Sequence, residues 1–425
     1  MHLSRRQFLR AGAATPLALG VTGPLIADEP KRTPAGERLT LGFIGVGVMN
    51  RGHLGGFLGM KDVQVLAVCD VVAERREHAK QMVEKKYGEA KKGEYKGCDA
   101  YSDFRKIIDR KDIDAVVIAT PDHWHTIPCV LAAQARKDIY CEKPLTHNIA
   151  EGRRIVDAVA KNEVIFQVGS QQRSEFGNHF RLAVELVRNG RIGKLKTIRI
   201  GVGGPAKPCD LPGQPIPEGT DWDFWLGPAP DREYNEILCP KGIHNHFPAW
   251  RNYQEFAGGQ VADMGAHHFD IAQWALDMDS SGPVEIHPPE KGDKGLRLVY
   301  ANGVEMIHGG EADCVFVGET GTIRASRGKI ESDPAEILKT PIGEKEWHAY
   351  PSNNHRRNWV ECVRSRKQTI CPPETGHRSA TVCHLVNIGY RLRKPLHWDP
   401  VKERFDDAEA NKLVSRESRA KWKLI

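Results

Sequence analysis

Lys143 in one stretch, and Asp263 with His267 four residues later in another, are side-chain types that can do proton chemistry. Lys143 stands in the run Cys141-Glu142-Lys143-Pro144-Leu145. Its ammonium can donate hydrogen bonds to an oxygen that gains negative charge during reaction. Pro144 holds the residue before it extended and removes one backbone donor, so the loop is stiff. Glu142 is placed to hold or tune the ammonium, with a solvated Lys–Glu pair as the plainer alternative. Further on, the glycine-rich run Gly258-Gly259-Gln260-Val261-Ala262-Asp263-Met264-Gly265 turns helical from Ala266, and His267, Ile271, Trp274 and Ala275 then share one face. Asp263, one turn earlier, can accept a hydrogen bond from the His267 imidazole and fix its tautomer. A histidine so oriented, with an ordinary pKa near ~6.5, is a suitable general base for an alcohol. His268 points to another face and reads as structural.

These groups need a frame. The short strand-like run Asp138-Ile139-Tyr140 delivers Lys143, and parallel sheets bind ligands outside the carboxyl ends of their strands. Upstream, apolar strands at 39–44, 63–70, 115–119 and 164–168 alternate with helical segments at 73–87, 103–109, 127–135 and 149–161. That alternation predicts a doubly wound parallel sheet. The first strand runs into Gly45-Val46-Gly47-Val48-Met49-Asn50-Arg51-Gly52. Gly45 and Gly47 permit a tight turn and let backbone N–H groups approach a pyrophosphate at a helix N-terminus, with Met49 and Asn50 in the same turn. Asn50 stands where the fingerprint has its third glycine. Asp70 ends the second strand, where an acid accepts hydrogen bonds from ribose hydroxyls and repels a 2′-phosphate, so NAD is favoured over NADP. Arg75 and Arg76 fall on a helix read as solvated. Thr120-Pro121-Asp122-His123-Trp124-His125 forms a loop at the end of a later strand.

In this combination and order the Gly45 turn, Asp70, the Thr120-to-His125 loop, Glu142-Lys143-Pro144 and Asp263-x-x-x-His267 resemble the glucose–fructose oxidoreductase, inositol dehydrogenase and rhizopine-catabolism family (Gfo/Idh/MocA). The resemblance spans roughly residues 39 to 395. It implies an N-terminal Rossmann domain over 39–168 and a C-terminal α+β domain over 169–395 that serves substrate and oligomer. It implies an NAD-dependent oxidoreductase of a sugar, sugar derivative or polyol, with no metal. Lys143 and the Asp263–His267 pair become the catalytic groups. Thr120, Pro121, His125 and Glu142 lie beside the cofactor, and Gln172 and Arg173 border nicotinamide and substrate. The alternatives are a redox-neutral, NAD-dependent enzyme that cleaves glycosides, and a non-catalytic sugar sensor. NAD-dependent glycosidases tend to differ at the Glu-Lys-Pro position, so its presence favours the dehydrogenase.

Elsewhere, Trp222 and Trp225 can wall a carbohydrate pocket, because sugars pack their C–H faces on aromatic rings, or can be core. Lys207 to Pro217 is a Pro/Gly loop suited to a lid or an oligomer arm. His244, His246, Asp263, His267 and Asp270 are the rival reading as metal ligands, although their spacing does not demand it. Short strands from Leu296 to Ala325, punctuated by glycine, predict an open, largely antiparallel sheet whose second face a partner subunit would cover, giving a homodimer or homotetramer. Helices close the chain at 355–364 and 375–392, and 396–425 reads as a peripheral charged tail.

The 425 residues are 40% apolar and 27% charged, with a formal net charge of +6. That composition is ordinary for a multi-domain soluble chain. Mixed charges exclude a nucleic-acid stripe. Ser4-Arg5-Arg6-Gln7-Phe8-Leu9-Arg10 reads as a twin-arginine signal, and the weakly apolar run after it, broken by Pro16 and Pro24, is no stable membrane span. Residues 1–27 are therefore expected to address the twin-arginine translocase, with 28–38 a linker and the mature protein periplasmic. Outside the membrane there is no regenerating pool of nicotinamide nucleotide, so such an enzyme must carry its cofactor with it. The ten cysteines form no Cys-x-x-Cys pair and read mostly as small core residues, with Cys209 and Cys239 the best-placed pair for a disulfide.

Overall fold

Leu39, Leu41, Phe43 and Ile44 are apolar and almost wholly buried, as a strand covered on both faces requires. In the computed structural model, which describes residues 38–423 apart from 92 and 311–312, this strand, β1 (Leu39–Ile44), lies inside a parallel sheet. Its neighbours are β2 (Val63–Cys69), β3 (Asp99–Tyr101), β4 (Ala115–Ile118), β5 (Asp138–Cys141) and β6 (Phe166–Val168), in the order β3-β2-β1-β4-β5-β6. Connections run outward in opposite directions from β1 and β4, so the crevice at their carboxyl ends is the topological switch point where such sheets take ligands. The crossover helices match the sequence pattern closely. Ile149–Asn162 begins where it does because the Asn148 side chain accepts a hydrogen bond from the Glu151 N–H.

Among the described residues a second sheet has nine strands: β7 (Leu195–Ile200), β8 (Glu285–His287), β9 (Arg297–Val299), β10 (Glu305–His308), β11 (Cys314–Gly318), β12 (Thr322–Ala325), β13 (Ile330–Asp333), β14 (Leu396–Asp399) and β15 (Arg404–Phe405). Only β7 and β10 pair in parallel; the other pairs are antiparallel. Ile198, Ile200, Met306 and Phe316 face inward and pack with Phe269, Val382 and Val386 from the helices Gly265–Ala275 and Pro373–Leu392. The opposite face carries half-buried Thr197, Ile307, Val315 and Val317.

Three expectations are corrected. The segment after 395 is not peripheral: β14 pairs with β8, and Trp422 is buried with its ring 4.8 Å from Trp124 in the first domain. The chain beyond 168 also returns to the first sheet, where Trp359 of the helix His355–Ser365 packs edge-on against Phe57 and Tyr140. Cys209 and Cys239 are both free thiols, packed in or against one apolar cluster. Among the described residues no helix is long and apolar enough to cross a membrane. The twin-arginine segment and the linker up to 37 lie outside the described residues.

Candidate active site

The groove at the carboxyl ends of β1, β2 and β4 measures about 840 Å³ with the solvent at its mouth, and Gly45, Gly47, Met49, Asp70, Thr120 and Pro121 line one side. Gly45 has φ +73°, and a Cβ there would stand 2.9 Å from the Thr120 methyl, so the turn needs glycine. A Cβ on Gly47 would meet nothing within 4 Å, so that glycine leaves room that the protein does not fill. Asp70 is buried, and its carboxylate accepts from the Val46 and Val72 N–H groups at 2.9 Å each, which pins the acid to the turn. Thr120 Oγ1 is enclosed without a partner. Room beside Gly47, a pinned carboxylate and an unsatisfied hydroxyl fit a dinucleotide.

Asn50 takes another place. Its side-chain amide donates to the carbonyls of Gly45 at 2.8 Å, Ile44 at 3.2 Å and Val117 at 3.3 Å, bracing the turn against β4 instead of facing the groove. This is what replaces the third glycine.

Lys143 and Asp263 meet. Lys143 Nζ donates to Asp263 Oδ1 at 2.7 Å and to its main-chain carbonyl at 2.8 Å, and Arg251 Nε stands 3.5 Å from the same carboxylate oxygen. Burial works to raise the Asp263 carboxyl pKa, but Lys143 and Arg251 outweigh it and hold the group below the ordinary carboxylate range. The expected bond from Asp263 to His267 is therefore replaced by an ion pair: an ammonium competes better for a carboxylate than a neutral imidazole does. His267 is buried beside them, with Nδ1 enclosed and unpartnered. Burial first, then Lys143 and Arg327, depress its pKa well below the ordinary value, so it is neutral.

Other expected contacts are redirected. The Glu142 carboxylate turns away from the ammonium into the protein, where Oε1 stands 2.8 Å from His53 Nε2 and 2.6 Å from Gln171 Nε2. His125 ties two loops together, its ring nitrogens 2.9 and 3.0 Å from the Pro144 and Thr120 carbonyls. Burial opposes a charge on it, yet the Cys141 sulfur and these carbonyls raise its pKa. Gln172 is spent between the His267 carbonyl at 3.3 Å and Arg327 Nε at 3.0 Å. Arg173 is wholly buried, bidentate to Asp270 and again to Asp279, with all four bonds between 2.7 and 2.9 Å, so no donor is left for substrate on those edges. Trp222 and Trp225 stack at 4.7 Å in the core; Trp225 borders the dinucleotide groove, and neither indole is an open sugar platform.

Sequence reasoning missed Asp122, Arg251 and Arg327. Asp122 is buried in the loop after β4, and burial, with Asp263 nearby, pushes its pKa up to about 8 against the pull of Arg251 and Lys143. A carboxyl so held can donate a hydrogen bond at neutral pH. Its place in the Thr120-to-His125 loop was the available signal; Arg251 and Arg327 had none. Among the described residues no three His, Cys, Asp or Glu side chains converge as a metal site, and Asp270, a rival ligand, is held by Arg173.

Two family profiles match the chain: residues 39–170 fit the oxidoreductase family's NAD-binding Rossmann fold and residues 206–424 its C-terminal alpha/beta domain. Over 384 residues, 85% of this chain and 96% of the other, the sequence is 30% identical to the uncharacterized oxidoreductase YrbE of Bacillus subtilis. It is 31% identical to the myo-inositol 2-dehydrogenase of Thermotoga maritima over 40% of this chain and 47% of that protein. It is 30% identical to a glycosyl hydrolase family 109 protein of Shewanella pealeana over 46% and 45%. The chain thus spans about half the length of these last two relatives. Among solved structures, the WlbA dehydrogenase of Bordetella pertussis in complex with NADH and UDP-GlcNAcA aligns with a TM-score of 0.59 at 18% identity, over 85% of this chain and 99% of that one, a likeness of fold.

Proposed function

Because this chain belongs to the Gfo/Idh/MocA oxidoreductase family, we propose that it is an NAD(H)-dependent oxidoreductase that interconverts a hydroxyl and a carbonyl on a sugar, sugar derivative or polyol. The observation that carries this reading is the 2.7 Å contact between Lys143 and Asp263 beside neutral His267. When bound, the nicotinamide supplies the hydride acceptor. Gly45, Gly47, Met49, Asp70, Thr120 and Pro121 would hold the dinucleotide. An ammonium has three N–H donors, and two of those on Lys143 go to Asp263, leaving the third for the substrate oxygen. It steadies the negative charge that develops there. His267 takes the hydroxyl proton. Because protonated His267 is a strong acid in this setting, the same group returns the proton in the reverse direction. Preference for NAD over NADP follows from Asp70 at the ribose end and from Arg75, whose guanidinium is occupied by main-chain carbonyls.

We also propose that the protein is exported by the twin-arginine route, keeps its cofactor, and dimerises or forms a tetramer through the outer face of the large sheet. The partial match to a glycosyl hydrolase family 109 protein favours a second reading, in which the hydride is returned and a glycosidic bond is broken without net oxidation.

The test is to incubate pure protein with a panel of sugars and polyols and follow cofactor and products by mass spectrometry. A product lighter by two hydrogens with matching NADH is expected. A cleaved glycoside with unchanged cofactor would establish the second reading. Tight sugar binding with no turnover would mean a sensor, and tighter NADP than NAD in a titration would defeat the cofactor assignment.

A further inference from the structure

The segment from Leu238 to Phe247 belongs to the second half of the chain but crosses the dinucleotide groove, whose far wall is built by Leu238, Pro240 and His244. Two buried arginines on the first domain's helices hold this strap. Arg75, on the helix Ala73–Lys91, donates through Nε to the Gly242 carbonyl at 3.0 Å and through Nη2 to the Pro240 carbonyl. Arg51, on the helix Val48–Leu58, donates through Nη2 to the His244 carbonyl and to Asn245 Oδ1, the latter at 3.1 Å. The fit is close at Gly242, whose φ is +62° and where a Cβ would come 2.6 Å from the Glu74 carboxylate. A helix expected to be solvated therefore spends Arg75, 6% exposed, on a distant loop.

Two polar atoms of this assembly are left over. Arg51 Nη1 is enclosed with no partner, and so is His244 Nε2. His244 Nδ1 stands 2.8 Å from the His246 carbonyl and must carry the ring proton toward it, so Nε2 holds a lone pair. Burial, reinforced by Arg75, keeps this imidazole neutral, with its pKa lowered to about 4. His244 lines the groove, so its unspent acceptor Nε2 suits a ribose hydroxyl of a dinucleotide, and the unspent Arg51 Nη1 donor is held at the same strap contact.

We propose that the 238–247 strap is the second jaw of the cofactor site, with Arg51 and Arg75 as its latches and His244 as a dinucleotide ligand contributed from outside the Rossmann domain. The nucleotide cannot leave until the latch bonds break, so its release is slow. This rests on reading the groove as a nicotinamide nucleotide site and names what holds the ligand there.

The experiment measures nucleotide release, without substrate. Purified protein is loaded with NADH, passed through a desalting column, and the decay of bound NADH fluorescence is followed after adding excess NAD. Wild-type protein should elute with nucleotide bound and release it slowly. Arg75→Gln and Arg51→Gln should each release it at least ~10-fold faster, the scale of one charge-assisted hydrogen bond. Since an arginine variant can lose folding, His244→Ala, which keeps every latch bond to the main chain, is measured alongside; it should bind NADH more weakly with an unchanged thermal transition. Binding with release rates equal in wild type and all three variants would overturn the strap while leaving the oxidoreductase reading intact. Wild-type protein that binds no NADH at all would overturn both.

Discussion

Lys143 is held twice by Asp263, and that double hold fixes the direction of its remaining N–H. Lys143→Ala should lower kcat by about 10²-fold or more, the usual scale for a general acid–base or electrostatic group, while NADH still binds. Asp263→Asn should lose a similar factor because the ammonium loses its anchor. If Asp263 acts through Lys143, the double variant is scarcely worse than either single one, since the two residues form one unit. Steady-state rates on the substrate found by the panel decide this. Multiplying losses would return Asp263 to the role first read for it, as a partner of His267. The sequence singled out Lys143, Asp263 and His267 but paired Asp263 with the imidazole, whereas it holds the ammonium. Spacing along a helix says which side chains can meet, but it does not weigh a nearby imidazole against an ammonium arriving from another domain.

At the level of elements, local signals were sufficient and distant ones were silent. Apolar strands, the tight turn at Gly45 and the helix from Ile149 are each written within a few residues, and the structure has them where the pattern placed them. The Arg51 and Arg75 latches, the Glu142–His53 pair and the burial of Trp422 join residues far apart in the chain, and nothing around any of them marks the partner. Arg173 shows the cost of reading by position alone. It follows the last parallel strand and was placed at the substrate, yet it fastens the turn at 171–173 to the helix Gly265–Ala275 through Asp270, which also accepts from Ser379. Removing one partner of a buried ion pair costs about 3–5 kcal/mol, because the other charge stays buried without compensation. Arg173→Met should therefore lower the denaturant midpoint sharply, with turnover per folded molecule little changed. A large fall in kcat at unchanged stability would put the guanidinium back at the substrate.

Over the whole molecule, burial has filled the interior with imidazoles that resist protonation. Among the described residues eight histidines (123, 147, 244, 267, 268, 308, 355 and 384) have pKa values lowered first of all by burial. Among the carboxyl and imidazole groups of the described residues three are shifted up and act the other way: Asp122, Asp270 and His125. Below about pH 6.5, the ordinary histidine value, the unfolded chain takes up protons that the folded chain refuses. The stability from the lowered imidazoles is complete above that pH. It is lost as the pH falls toward about 4, the folded value for His244, His268 and His355. Each net proton changes stability by about 1.4 kcal/mol per pH unit, and the lowered imidazoles outnumber the raised groups, so acid destabilises the fold on balance. His267 is itself one of the reacting groups, so the active site shares in the loss. Urea unfolding near pH 7 and near pH 5 should show a midpoint that drops strongly at the lower pH, with proton uptake on unfolding measurable there by calorimetry in buffers of different ionisation enthalpy. An unchanged midpoint with no uptake would mean that these histidines are already charged inside the fold and paired there, and the neutral His267 on which the proton transfer depends would be lost with them.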